Sequence, residues 1–260
     1  MNSIASHPLN GRAPRAIFFD LDQTLIQHET TLGDLVVQAL LEHAPHRAAD
    51  LSTFQRALAT EGARLWSRIS ERPEGGIQAL QGVIARALES VALDATRAAE
   101  ILEHALHQVV DLSRPTMSAH ATLDSLRERG VLLGIITNGF TDVQERKAFA
   151  HGFLDRVQTL VTSERAGVHK PDRRIFELAL SALRVGPAES WYVGDNFDKD
   201  VCGAALVGMT SVLFDPRGVH GSIDRAGLQK PDYVISDLQE VVGLVKELDG
   251  KGWRRPQPGA

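Results

Sequence analysis

Two aspartates follow a continuous apolar segment near the start of the chain. The segment Ala16–Phe19 runs directly into Asp20, and Asp22 and Thr24 follow at alternate positions. An apolar run of this kind predicts a strand buried on both faces, as in the middle of a parallel sheet. Such a strand ends at the carboxyl edge, where open α/β folds bind their ligands. Two neighbouring carboxylates can then divide an ionised role and a proton-carrying role between them. A solvated acidic turn is the alternative interpretation.

Further polar residues lie at the predicted ends of other strands. Thr137 and Asn138 follow the apolar segment 131–136, and Asp195 ends the segment that begins at Trp191. In a parallel sheet these ends meet at one edge. Lys170 lies just ahead of a predicted helix, and a cation beside a helix N-terminus favours an anion. The pattern therefore predicts one polar site at that edge.

The loop from Gly194 to Asp200 is rich in carboxylates. Its acids are Asp195, Asp198 and Asp200, and no cysteine or histidine lies among them. Oxygen ligands of this kind suit a hard cation such as Mg²⁺ rather than zinc. We expect Asp198 to be a helix N-cap, and Asn196 to be either a turn residue or an outer ligand.

Composition limits the class of protein. The chain has 260 residues, 43% of them hydrophobic, with a formal net charge of −5 and a pI near 6.1. This charge gives no basic field for a nucleic-acid polymer. No run of eighteen apolar residues predicts a membrane span. Cys202 is the only cysteine, which favours a reducing, cytoplasmic compartment. The polar residues 1–14 are expected to form a loose arm, and the oligomeric state stays open.

Hydrophobic spacing divides the rest of the chain into two parts. From Thr30 the apolar residues follow a helical period over four segments, which begin near Leu32, Phe54, Ile77 and Ala98. Four amphipathic helices predict a small bundle, with a break at 72–76 between the second and third. After Pro115 strands alternate with helices, which predicts an α/β fold with a doubly wound parallel sheet.

Four motifs occur in order along the chain. Asp20-Leu21-Asp22-Gln23-Thr24, Thr137-Asn138, Lys170, and Gly194-Asp195 with Asp200 resemble the motifs of the haloacid dehalogenase superfamily of hydrolases. The resemblance implies a Rossmann-like core formed by residues 1–26 and 116–260. It also implies an all-helical cap of the first type, inserted as residues 27–115. The hinges would be Ile26–Thr31 and Leu112–Met117.

The resemblance also implies roles for individual residues. Asp20 would attack phosphorus and become an aspartyl-phosphate, and Asp22 would protonate the leaving oxygen and later activate water. Thr137, Asn138 and Lys170 would hold the phosphoryl group. Departures from the family pattern are Gln23, which bears no assigned chemistry, and Lys199, which leaves the role of Asp200 open.

A magnesium ion is implied by the same resemblance. Its ligands would be Asp20, the main-chain carbonyl of Asp22, and Asp195. Asn196 and Asp200 would act in a second layer around the ion or through water.

The expected function is that of a Mg²⁺-dependent phosphatase acting on a small phosphorylated metabolite. The Thr137-Asn138-Gly139 form resembles nucleotidases and N-acylneuraminate-9-phosphatase-like members. Gln27, Arg68 and Arg72 are candidates for substrate selection by position alone. The alternatives are a 2-haloacid dehalogenase, a phosphomutase, and a non-catalytic phosphate-binding module. Asp22 argues against the dehalogenase, because that reaction has no alkoxide to protonate.

Overall fold

The computed structural model describes residues 13–44, 50–68, 76–219 and 230–249. The strands in this part of the chain are β1 (Ala16–Phe19), β2 (Ile26–Gln27), β3 (Arg114–Pro115), β4 (Leu132–Thr137), β5 (Thr159–Thr162), β6 (Ser190–Gly194), β7 (Thr210–Phe214) and β8 (Tyr233–Ile235). The helices are α1 (Leu32–His43), α2 (Leu51–Ser67), α3 (Gly76–Glu89), α4 (Ala98–Asp111), α5 (Ala119–Glu128), α6 (Thr141–Ala150), α7 (Ser163–Ala166), α8 (Arg173–Leu183), α9 (Cys202–Val207) and α10 (Gln239–Asp249).

Six strands form one parallel sheet in the order β5-β4-β1-β6-β7-β8. In one half of the sheet, the strands follow the chain outward from β1 to β4 and β5. In the other half, they follow it outward from β6 to β7 and β8. The order therefore reverses between β1 and β6, and this is where doubly wound sheets bind ligands. The predicted α/β fold class is confirmed.

Strand β1 is buried on both faces, as its sequence predicts. Ile17 and Phe19 belong to one apolar cluster, and Ala16 and Phe18 belong to the cluster on the opposite face. All four side chains are fully buried. Because side chains alternate along a strand, both layers need apolar residues here, and the first polar position is the strand end at Asp20.

Helices α1 to α4 share a separate apolar cluster, in which α1 packs on α4 and α2 packs on α3. The four predicted helices are present. Val143 of α6 also belongs to this cluster. Helices α1 to α4 therefore pack against α6, the helix that follows strand β4 of the sheet. Most of the predicted break at 72–76, including Arg72, lies outside the described residues, as do residues 1–12 of the predicted arm.

Two local features differ from the sequence expectation. The antiparallel ribbon of β2 and β3 was not predicted, because two residues per strand are too few to show a period. The predicted N-cap at Asp198 is wrong. Asn196 is the cap, and its Oδ1 accepts a hydrogen bond from Lys199 N at 3.0 Å. A five-residue π-turn, Phe197–Val201, follows Asn196, so Asp198 lies inside the turn.

Among the described residues, no helix is long and apolar enough to span a lipid bilayer.

Candidate active site

The side chain of Lys170 lies at the centre of a buried polar cluster. Its Nζ donates to Asp20 Oδ1 at 2.7 Å, to Asp200 Oδ1 at 2.8 Å and to the Tyr192 hydroxyl at 2.7 Å. The Tyr192 hydroxyl in turn donates to the carbonyl oxygen of Ile136 at 2.8 Å. One ammonium thus fixes two carboxylates at the edge of the sheet.

Backbone geometry at two strand ends brings these groups together. Asp20 N donates to Val193 O at 2.8 Å, so the β1–β6 ladder extends by one residue and fixes the position of Asp20. On β6, a Cβ atom at Gly194 would overlap the carboxylate of Asp200. The π-turn supplies the remaining constraint, since Asn196 N donates to Asp200 Oδ2 at 2.9 Å. Gly194 is therefore required for the close approach of Asp200.

The residues Asp20, Asp195 and Asp200 form a cluster that fits a divalent cation. One oxygen from each lies within 4.8 Å of the others, and Asp20 and Asp200 are buried. All donors are hard carboxylate oxygens, the ligand type that Mg²⁺ prefers. Lys170 balances only one of the negative charges. The donor set therefore fits the predicted metal, with Asp200 as a direct candidate beside Asp20 and Asp195.

Burial and charge shift the ionisation of this cluster. Burial raises the pKa of Asp20 to about 7; Lys170 opposes that shift, and the Asp200 carboxylate adds to it. Burial alone would lower the pKa of Lys170, but the two carboxylates outweigh it and raise that pKa. Burial and Asp200 together raise the pKa of the Tyr192 hydroxyl. Lys170 is therefore a fixed cation, and the site favours additional positive charge.

The second strand end contributes the predicted phosphate-binding residues. Asn138 Oδ1 accepts from Lys170 N at 2.8 Å, and Asn138 Nδ2 donates to Lys170 O at 3.2 Å. The two hydrogen bonds join the end of β4 to the loop before α8. Thr137 is buried, and its hydroxyl accepts from Gln144 Nε2 at 2.6 Å. Thr137, Asn138 and Lys170 thus lie at one edge with Asp20.

The carboxylate of Asp22 is held by three side chains. Lys147 Nζ lies 2.5 Å from Oδ1 and 2.7 Å from Oδ2, and Gln144 Nε2 donates to Oδ2 at 2.9 Å. His28 Nε2 lies 3.0 Å from Oδ1. Burial opposes ionisation of Asp22, but the hydrogen bond with His28 and the charge of Lys147 hold its pKa well below the usual value. Asp22 is therefore an ionised carboxylate in this arrangement.

Sequence reasoning missed four residues of the site. These are His28, Gln144, Lys147 and Tyr192. Gln144 and Lys147 lie one helical turn apart on the buried side of α6, but polar residues at this spacing are equally typical of an exposed helix face, so sequence reasoning had no signal for them. Tyr192 gave none, because a tyrosine in an apolar strand has the pattern of a core residue.

The candidates for substrate selection lie in different places. Gln27 and His28 line an open cleft of about 910 Å³ together with Asp195, Arg114 and Arg217. Arg68 instead lines a separate cavity of about 440 Å³ between α2 and α3 with Arg64 and Arg86. The structure thus brings Gln27, but not Arg68, to the cleft that contains Asp195.

The chain was compared with known protein families. The model for haloacid dehalogenase-like hydrolases matches residues 14–208. The chain belongs to this family. The family membership predicted from the four motifs is confirmed, and the protein is a hydrolase of the haloacid dehalogenase-like family.

Individual relatives of this haloacid dehalogenase-like hydrolase include phosphatases and a dehalogenase. A protein named phosphoserine phosphatase from Thermus thermophilus is 32% identical over 247 residues, which are 87% of this chain and 97% of that protein. A solved 2-haloacid dehalogenase from Pseudomonas syringae has 26% identity and a TM-score of 0.67, covering 89% of this chain and 99% of its own. A solved HAD phosphatase from Thermococcus onnurineus has 27% identity and a TM-score of 0.58, with coverage of 89% and 97%.

Proposed function

We propose that the protein is a Mg²⁺-dependent phosphatase that hydrolyses a small phosphate monoester through an aspartyl-phosphate on Asp20. The observation that carries the proposal is the pairing of Asp20 with Lys170 at 2.7 Å, with a second acid, Asp22, two residues further on. The phosphoserine phosphatase relative, which aligns over nearly its whole length, supports the same reaction class.

The first half-reaction uses Asp20 and Asp22. A carboxylate oxygen of Asp20 forms a bond to phosphorus, and the bond from phosphorus to the ester oxygen breaks. The departing electron pair stays on that oxygen, which takes a proton from the Asp22 carboxyl. Because Asp22 is ionised in the arrangement described above, it must first take up that proton from solvent as the substrate binds. Lys170, with Thr137 and Asn138, holds the phosphoryl oxygens, and the positive charge reduces their repulsion from Asp20.

The second half-reaction returns the enzyme to its starting state. Asp22, now ionised, takes a proton from water as the water oxygen attacks phosphorus. The bond between phosphorus and Asp20 breaks, which releases inorganic phosphate. Splitting hydrolysis at a covalent intermediate replaces one difficult step by two easier ones.

A magnesium ion at this site would be held by Asp20, Asp195 and the main-chain carbonyl of Asp22, with Asp200 as a further ligand, directly or through water, and Asn196 close by. When bound, it supplies positive charge that offsets the carboxylates and the phosphate dianion. The shared carboxylate cluster of Asp20, Asp195 and Asp200 supports this choice of ligands.

The domain division proposed from the sequence is part of the same account. Residues 1–26 and 116–260 would form the catalytic core, and residues 27–115 would form a lid over the sheet edge. A lid of this kind excludes water and selects the substrate. The lone cysteine Cys202 supports a reducing, cytoplasmic setting.

A 2-haloacid dehalogenase is the second candidate, because one solved structure of that activity resembles the chain. In that reaction the nucleophile attacks carbon and needs neither a metal nor a second acid. The acidic cluster and Asp22 favour the phosphatase.

The test compares wild-type protein with Asp20→Asn on a panel of aryl, nucleotide, sugar and glycolate phosphates, together with phosphoserine. Wild type should release phosphate only with Mg²⁺, and Asp20→Asn should be inactive with an unchanged circular dichroism spectrum. A fully active variant would contradict the mechanism. Chloride released from a 2-haloacid in the presence of a chelator would favour the dehalogenase instead.

A further inference from the structure

Asp22 is surrounded by partners that the phosphatase reaction does not itself require. A carboxylate offers about four lone-pair positions for hydrogen bonds. Lys147 contacts both oxygens, while Gln144 and His28 contact one each. All four positions are thus filled, and the ester oxygen of a substrate can reach this carboxyl only by replacing one partner.

Two of the partners belong to the buried interior of the protein. Gln144 and Lys147 are only 2% and 6% exposed, and both lie on α6. Gln144 Nε2 also contacts Thr137 Oγ1, which joins the predicted acid and the predicted phosphate-binding hydroxyl through one amide. Burying an ammonium and an amide is costly, and an apolar residue would fill the same space without that cost.

The glycine of the Thr137-Asn138-Gly139 segment has a role in this contact. A Cβ atom at Gly139 would lie 2.7 Å from Cγ and Cδ of Gln144, closer than such atoms normally approach. The absent side chain therefore leaves room for Gln144 to cross the backbone and reach Asp22. This explains why a glycine follows Asn138 here.

His28 differs from the other two partners. Its side chain is 24% exposed and lines the cleft that also contains Asp195. It belongs to the connection between the ribbon strand β2 and helix α1, within the proposed hinge Ile26–Thr31. Of the three partners it is the one placed to withdraw when a substrate enters or the lid moves.

We propose that Gln144 and Lys147 are positioning residues that fix the carboxyl of Asp22 for proton transfer, and that His28 is the partner which the substrate replaces. This inference rests on the proposed phosphatase function. According to this proposal, residues of α6, and not residues of the lid, determine how well the enzyme cleaves esters whose alkoxide is a poor leaving group.

Leaving-group dependence separates positioning from general structural damage. p-Nitrophenolate leaves without a proton, whereas the alkoxide of glycerol 2-phosphate needs one. Single-turnover rates of phosphoryl transfer to the enzyme are measured with Mg²⁺ for both esters. We expect Lys147→Met to lower the ratio of the alkyl rate to the aryl rate by about 10²-fold, the size of one general-acid contribution.

Three further variants complete the experiment. Gln144→Leu, which changes no charge, should lower the same ratio and serves if Lys147→Met does not fold. Arg146→Met is the matched control, since Arg146 lies on the same helix but pairs with Glu103 at 2.8 Å, and it should keep the wild-type ratio. His28→Ala removes the partner that the substrate replaces, so it should lower the ratio less than Lys147→Met or Gln144→Leu does.

Each other outcome contradicts a defined claim. Equal losses for both esters in Lys147→Met and Gln144→Leu would show that the two residues act only on the fold, which overturns the inference. A ratio in His28→Ala as low as in Lys147→Met would make His28 a fixed partner and overturn its assignment. Wild-type protein inactive on both esters would overturn the proposed function, and the inference with it.

Discussion

Lys170 and Asp20 form an ion pair of 2.7 Å in which the two side chains are only 2% and 11% exposed. The same ammonium pairs with Asp200 at 2.8 Å. A buried charge is tolerated when it has a partner of opposite sign and its remaining hydrogen-bonding groups are satisfied. Here Tyr192 and Asn196 complete those contacts. The fold around β1 and β6 therefore depends on the charges that the reaction would use.

The first prediction concerns removal of this cation. Lys170→Met leaves Asp20 and Asp200 buried without their partner, and breaking a buried pair typically costs about 3–5 kcal/mol. We expect a loss of that order in the free energy of unfolding, measured in urea without metal. Mg²⁺ should recover part of it by replacing the missing positive charge. Lys246→Met, at an exposed position of α10, is the control and should change little. Equal stability of the two variants would contradict the coupling.

A second prediction tests the close approach of Gly194 and Asp200. Gly194→Ala would push the Asp200 carboxylate away from the cluster, so we expect weaker Mg²⁺ binding by calorimetry and lower stability. In the control Gly62→Ala no atom lies within 4 Å of the new Cβ, in the middle of α2. That variant should be more stable by about 0.5–1 kcal/mol, because alanine favours a helix. Unchanged Mg²⁺ affinity in Gly194→Ala would argue against Asp200 as a ligand.

A third prediction concerns the pH dependence of a contact next to a hinge. His151 Nε2 lies 2.7 Å from the hydroxyl of Ser113, which precedes β3. Burial, followed by the charges of His120 and Lys147, lowers the pKa of His151 below its usual 6.5. The pKa of His151 is therefore lower in the folded state than in the unfolded state. The stability that comes from neutral His151 is fully present above the unfolded-state pKa, and it is lost as pH falls through the folded-state pKa.

Urea unfolding at about pH 7.5 and about pH 5.5 checks this sign. Wild type should lose more stability on acidification than His151→Gln does. His107→Gln, at a position 72% exposed on α4, is the control and should follow wild type. A His151→Gln profile that parallels wild type would contradict the assignment.

The fourth prediction tests the proposed lid. Limited proteolysis should cut within 26–31 or 112–117, and Mg²⁺ with a phosphate mimic should slow the cutting. The contacts that would hold a closed lid include Trp66 on α2, whose ring lies 4.1 Å from that of His169 beside Lys170. Trp66→Ala should therefore be cut faster, while Trp191→Phe, in the sheet, should not differ at the hinges. If neither the ligand nor the Trp66→Ala substitution changes the rate of cutting at the hinges, the result would argue against a moving lid.

Much of the sheet could be predicted because its strands are buried on both faces. Ala16–Phe19 and the residues around 132–136 are continuous apolar runs, and each is followed by the polar residues of the edge. Their parallel pairing brings Asp20, Thr137 and Asp195 to one side. Here local pattern and global topology agree, so sequence reasoning could locate the edge.

The missed parts depend on tertiary contacts without a local pattern. The ribbon of β2 and β3 joins residues almost ninety positions apart, through pairs such as Gln27 with Arg114. Gln144 and Lys147 resemble surface residues in sequence, yet both are buried against Asp22. Trp66 of α2 contacts His169 and Phe140, which both lie outside the four helices α1 to α4. Polar residues buried for a function break the hydrophobic period, and sequence reasoning then treats them as exposed.

The most direct test is to detect the phosphoryl group on Asp20. Wild-type protein is mixed with an alkyl phosphate and Mg²⁺, quenched in acid within one turnover, digested and analysed by tandem mass spectrometry. The account predicts a phosphorylated peptide whose modified residue is Asp20, and its absence when Mg²⁺ is chelated. Phosphate release without any modification of Asp20 would contradict it. So would the release of halide when a 2-haloacid replaces the phosphate, with an ester of the corresponding 2-hydroxy acid formed on Asp20 without metal.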